Sequence, residues 1–169
     1  RRADGTAVTG LCMPGVTYPN VIDLARAWDG DFITADFRCV ADQPPMLNAI
    51  TLLRELFQAG AFPRNFATLS PEDVNVWMQT GRAAMSLQSM GRNRIYNDPA
   101  KSKFVDKIRT VAVPPAAALA SRFAAAPAKV EFWGLVIPKN AKRKDLSWSF
   151  IKNMVTKEAT LKAALNGNG

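Results

Sequence analysis

The spacing of apolar residues changes several times along the chain, and each change marks an element. Val8 to Met13 is a short apolar run closed by Pro14 and Gly15, which predicts a strand. After Tyr18 and Pro19, the residues Val21, Leu24, Ala25 and Trp28 recur at the period of a helix that Gly30 ends. Phe32, Ile33, Phe37 and Cys39 alternate loosely, as in a hairpin or an irregular extended stretch. Met46, Ala49, Ile50, Leu53, Leu56 and Phe57 trace the clearest amphipathic helix, stopped by Gly60.

Ser70-Pro71-Glu72-Asp73 predicts a helix start. The serine caps free N–H groups, the proline lacks the donor that would be orphaned, and the acids suit the positive dipole end. That helix carries Val74, Trp77 and Met78 on one face and stops at Gly81, before a short strand over 82–88. Ile108 to Val113, closed by two prolines, predicts another strand; 116–128 is an alanine-rich loop; and Val130 to Ile137 predicts a further strand ended by Pro138. From Asp145 on, Leu146, Phe150, Ile151, Met154 and Val155 mark a helix, and Thr156 is placed to cap a second one bearing Leu161, Ala164 and Leu165. Strands separated by helices predict an α/β layered fold. Trp28, Trp77 and Trp148 fall on apolar helical faces and are expected in the core.

Composition narrows the function. Of 169 residues, 48% are hydrophobic and 21% charged, ordinary for a globular domain, and no run approaches the roughly 20 apolar residues of a membrane span. Histidine is absent, which removes the commonest general base and metal ligand. Phosphate-binding, dinucleotide-binding and nucleophile-elbow motifs are missing too. Asp29, Asp31 and Asp36 suggest a calcium loop only superficially, since the bidentate glutamate is not at the required spacing, and a turn is expected. No carboxylate pair for acid–base work stands out. Cys12 and Cys39 are too few for a disulfide scaffold, and buried free thiols, or else a single bridge, are the readings open to them.

Charge is uneven. Residues 1–90 hold 7 basic and 9 acidic side chains, and residues 91–169 hold 15 and 5. The densest basic cluster, Lys139, Lys142, Arg143 and Lys144, has no aromatic residue before Trp148, so a solvated loop is expected over a nucleic-acid site. A basic nucleic-acid- or polyanion-binding module nevertheless stands as the alternative reading. Arg1-Arg2-Ala-Asp is followed by no apolar signal segment, and both ends read as cut, as in a mature secreted protein or a piece of one.

An ordered set of phrases carries a resemblance. It comprises Ala27-Trp28-Asp29-Gly30, then Phe57 to Pro63, then Gly81-Arg82-Ala83-Ala84-Met85-Ser86-Leu87, then Val113-Pro114, then Trp133 to Asn140, and last Trp148 to Lys152. Over about residues 20–165 the chain resembles the family 1 extracellular solute-binding proteins of ABC importers, which include sugar binders similar to maltose-binding protein. The resemblance implies an α/β fold forming one lobe of a two-lobed, periplasmic-binding-protein-like architecture, with a mixed sheet flanked by helices. Residues 1–134 would be the second lobe, and 135–169 a crossing strand and helices returning toward the first.

It further implies a protein without catalytic residues, cofactor or metal. Such a protein captures a sugar or related polyol between lobes and delivers it to ABC permease subunits. It would be periplasmic or extracellular, bind no nucleic acid and not span the membrane. Ligand contacts are expected at strand ends: Tyr18 before the first helix, Met90, Arg92 and Asn93 after the Gly81 strand, and Glu131 and Trp133 on the crossing strand. For Trp133, stacking on ligand and packing in the core are both open. The chain also departs from the family pattern. No tryptophan follows the Gly81 phrase within Gln88–Asn93, and Glu131-Phe132-Trp133-Gly134 replaces a usual glycine pair.

Overall fold

The computed structural model describes residues 2–15, 18–130 and 134–166, except for the side chain of Tyr18. The chain forms two compact units, residues 1–129 and 130–169.

In the first unit, β1 (Thr9–Cys12) and β2 (Ala83–Ser86) pair in parallel, with Thr9 opposite Ala83, Leu11 opposite Met85 and Cys12 opposite Ser86. Parallel strands need a crossover, and here it runs through helices α1 (Tyr18–Ala25), α2 (Pro44–Gln58) and α3 (Pro71–Thr80). Successive residues of a strand face opposite sides, and the end of β1 divides the core accordingly. Met13 packs with Val21, Leu24, Met46, Ala49 and Leu53 of α1 and α2, and Cys12 with Val74, Met78, Ala83 and Tyr96 beneath α3. Trp28 and Trp77, expected in the core, pack partly buried against these two clusters.

The local signals act as their chemistry dictates. The Ser70 hydroxyl accepts from the Asp73 N–H at 3.1 Å, and the Asp73 carboxylate accepts from the Ser70 N–H at 2.9 Å, a reciprocal cap with Pro71 in the first turn. Gly81 ends α3 at φ 70°, and a Cβ there would stand 2.5 Å from the Phe104 ring. Only glycine fits both demands. The hairpin expected over 31–40 is present as an antiparallel bridge between Ile33 and Cys39.

Two predicted strands are not found among the described residues. Residues 108–113 are neither strand nor helix. The Ile108 amide and carbonyl bond to the side chain of Asn97, and the Val113 carbonyl accepts from Ala126 N–H, so these backbone groups are satisfied outside any sheet. The strand expected over 130–137 falls partly on residues 131–133, outside the described residues; Val130 and 134–137 form no strand, and Val136 is 84% exposed. An apolar run becomes a strand only where a neighbouring backbone completes its hydrogen bonds. A short helix, α4 (Arg92–Tyr96), occupies a stretch that carries no helical period.

The second unit contains α5 (Lys144–Met154) and α6 (Lys157–Leu165). Thr156 caps α6, its hydroxyl accepting from the Ala159 N–H at 3.2 Å. Among the described residues of this unit none is fully buried, and Leu146, Trp148, Phe150, Val155 and Leu165 are exposed. The core position expected for Trp148 is therefore corrected: a helical pair this short has too little inside to enclose it.

Candidate functional site

The parallel pairing of β1 and β2 brings their carboxyl ends side by side, since Cys12 is opposite Ser86 and the Leu87 N–H donates to the Cys12 carbonyl at 3.3 Å. In open α/β folds, ligands bind beyond the carboxyl ends of the strands. Against β2 and its continuation lies a cavity of about 820 Å³ within the first unit. Its polar lining includes Ser86, Gln88, Ser89, Asn93 and Tyr96 together with the basic Arg2, Lys107 and Arg109, and its apolar lining includes Leu24, Trp28, Leu56 and Met85. Residues 107–116 line it as well.

Hydrogen bonds hold that last segment in place. Asn97 Nδ2 donates to the Ile108 carbonyl at 3.0 Å and to the Asn93 carbonyl at 2.8 Å, while its Oδ1 accepts from the Ile108 N–H at 3.3 Å. At the far end the Ala116 N–H donates to the Ala27 carbonyl at 2.7 Å. Gln79, buried in α3, donates to the Ile95 carbonyl at 2.8 Å and so fixes α4. On that helix the Tyr96 hydroxyl accepts from Ser86 Oγ at 3.1 Å, and burial raises the Tyr96 pKa above its ordinary value, so the phenol stays neutral.

The side chains available here are hydroxyls, amides, three basic groups and flat or aliphatic apolar surfaces. They can donate to and accept from a polyhydroxylated neutral molecule and cover its C–H faces. The nearby thiol, Cys12, is buried and its pKa is pushed up to about 11, mainly by burial, which keeps it un-ionised and unreactive. Both cysteines are free, and Cys39 is exposed, so the reading of a bridge falls away.

Of the residues expected at the site, Asn93 lines the cavity. Arg92, adjacent on α4, is not among the lining residues; its Nη1 donates to the side-chain oxygen of Asn75 at 3.1 Å when that amide is turned to satisfy both its atoms. Met90 lies in the preceding turn, 77% exposed and outside the lining. Tyr18 begins α1, its side chain lying outside the described residues, as do Glu131 and Trp133. Gln88, Ser86 and Tyr96 were not singled out from the sequence. The position of Gln88 just past a strand after the Gly81 turn is the signal that points to it, whereas Tyr96 sits on a helix too short to show a period.

The aspartates weighed as a calcium loop are engaged otherwise. Asp29 pairs with Arg122 at 2.5 Å, Asp31 with Arg26 at 2.6 Å and Asp36 with Arg38 at 2.7 Å. No cluster of metal-ligating side chains occurs among the described residues, and no helix there is long and apolar enough to cross a membrane.

Two solved structures share this fold. An ABC transporter solute-binding protein from Agrobacterium radiobacter K84 in complex with ribitol superposes with a TM-score of 0.76 at 22% identity, covering 95% of this chain and 40% of that one. An ABC transporter solute-binding protein from Agrobacterium vitis S4 with bound D-mannitol gives 0.68 at 15% identity, covering 98% and 40%. The chain thus spans about two-fifths of the length of either structure. No curated protein sequence matches it. The family profile described as bacterial extracellular solute-binding protein matches residues 15–161, a family of binding proteins rather than enzymes, and the chain belongs to it.

Proposed function

We propose that this chain supplies one wall of the solute site in a periplasmic binding protein of an ABC importer. The protein captures a sugar or polyol between two lobes and presents it to a membrane permease. The observation that carries this reading is the cavity that runs along β2 and past its carboxyl end, where Ser86, Gln88, Ser89, Asn93 and Tyr96 line it with apolar residues that include Trp28. The likeness to proteins holding ribitol and D-mannitol supports the ligand class. In the same reading residues 1–134 are the second lobe, and residues 135–169 return toward the first. The uncovered apolar side chains of α5 and α6 support that division, because such a surface calls for a covering partner.

Binding needs no nucleophile. A polyol is held by closing two walls on it, and affinity comes from hydrogen bonds made while water is expelled. Calorimetry on the full-length protein with pentitols, hexitols and the corresponding aldoses tests the reading. Binding of at least one by the full-length protein, and feeble or no binding by the 169-residue chain alone, is expected. Equal tight affinity in both would refute the one-wall arrangement, and no binding by the full-length protein would refute the ligand class.

A further inference from the structure

We propose that Asp23, Arg26, Ala27 and Asp29 form a clamp on the strap of residues 116–129. The chain then leaves the first unit from a fixed base, and the bending that closes the protein on its ligand lies outside the strap. The inference rests on the proposed two-lobed site and assigns positioning residues that act on it without touching the ligand. The strap buries little: it is alanine-rich, holds one short 3₁₀ turn (Ala117–Leu119), and among the described residues 116–129 Ala126 alone is buried. A segment with so few apolar contacts opens easily unless polar groups tie it down.

The ties come from one place, the end of α1 and the 3₁₀ turn Arg26–Trp28 that continues it. The Ala27 carbonyl accepts from the Ala116 N–H at 2.7 Å, and Asp29 pairs with Arg122. Arg26 Nη1 donates to the Ala128 carbonyl at 2.8 Å, and Asp23 Oδ1 accepts from the Lys129 N–H at 3.2 Å. The strap is thus held at its start, its middle and its end, and the last tie falls on the final residue of the first unit. Asp23 and Arg26, three residues apart, share one helix face. Arg26 is itself braced, since its Nη2 donates to Asp31 at 2.6 Å, and a planar guanidinium can serve both partners at once. The Asp29–Arg122 pair is the more exposed and adds less. A slack strap would have to be ordered each time a ligand is enclosed, and that cost is subtracted from affinity.

The test uses the full-length protein, with calorimetry on ribitol, D-mannitol and the corresponding aldoses and with native-state hydrogen exchange. In Arg26→Gln and Asp23→Ala the Lys129 amide should exchange about tenfold faster without ligand, and Kd should rise by about fivefold or more. Ser70→Ala is the control, because it weakens the α3 cap and leaves the clamp intact. It should lower the urea midpoint and keep Kd. Unchanged Kd in both clamp variants overturns the inference. So does a rise in Kd for Ser70→Ala equal to theirs, which would show that affinity merely follows overall stability.

The unsubstituted protein gives a second readout that needs no folded variant. Its Ala116, Ala126 and Lys129 amides should be protected without ligand, and ligand should leave their exchange unchanged. Rapid exchange that ligand slows by about tenfold or more would place the bending within the strap and overturn the inference while leaving the ligand class standing. If the unsubstituted protein binds no sugar or polyol, the functional reading falls, and the inference with it.

Discussion

Asn97 is where the cavity wall depends most on a single side chain. Its amide makes two hydrogen bonds to the backbone of Ile108, at 3.0 and 3.3 Å, and one to the Asn93 carbonyl at 2.8 Å. Asn97→Ala removes all three and leaves both backbone groups of the partly buried Ile108 without their partner. With a net worth of about 0.5–1.5 kcal/mol each, the two bonds to Ile108 hold the start of the 108–116 segment by about 1–3 kcal/mol. A loss of about 2 kcal/mol from the local opening free energy corresponds to roughly 30-fold faster exchange.

Native-state hydrogen exchange on the full-length protein reads this directly at the Ile108 amide. Asn97→Asp is the informative companion. It retains an acceptor for the Ile108 N–H but turns a carboxylate oxygen toward two carbonyls, so it should also loosen the segment. Unchanged Ile108 exchange in Asn97→Ala, with the rest of the protein equally protected, would show that the wall is held by packing and would refute the reasoning.

Other outcomes follow from the same geometry. Val74 is fully buried, so Val74→Ala should cost about 2 kcal/mol, seen as a lower urea midpoint with an unchanged slope. Ser70→Ala removes the α3 cap and should cost about 1 kcal/mol in the same assay. The Asp73 carboxyl is held below its usual value of 3.8, first by the backbone N–H of Ser70 and then by its hydroxyl. Its contribution is therefore present above the unfolded pKa and is lost as pH falls through the folded one. Asp73→Asn should flatten the stability profile below about pH 4, and an unaltered acid limb would refute this. In native protein at pH 8 a thiol reagent should label the exposed Cys39 and spare Cys12, whose pKa is about 11, with both labelled in denaturant. Rapid native labelling of Cys12 would contradict its burial.

A solute-binding protein has no reacting atoms to reveal it, so its chemistry lies in how neutral groups are sheltered. The family to which the chain belongs is one of binding proteins rather than enzymes. The cavity supplies hydroxyl and amide groups close to a sheet that is two strands wide among the described residues. Its geometry is set by helix ends and side-chain staples such as Asn97, which carry no periodic signature in the chain.

The elements written into the sequence are those whose determinants are local. The Ser70–Asp73 cap, Thr156 at the start of α6, the apolar stripe of α2 and Gly81 at the end of α3 each depend on residues within one or two turns. The α/β class follows from the same local signals, because strands separated by helices have few ways to bury their apolar faces. Tertiary structure decided what distant backbone and side chains must supply. Ile108 to Val113, closed by two prolines, reads as a strand, yet Asn97 and Ala126 take up hydrogen bonds a sheet neighbour would have made. Trp148 lies on an apolar stripe, but a stripe is buried only if something covers it, and the described residues around it do not. Ser86, Gln88 and Tyr96 look in the chain like any polar residues. They stand out only once the parallel pairing of β1 and β2 is formed and one cavity gathers them. Pairing and burial join residues far apart in sequence, and such contacts leave no period to read.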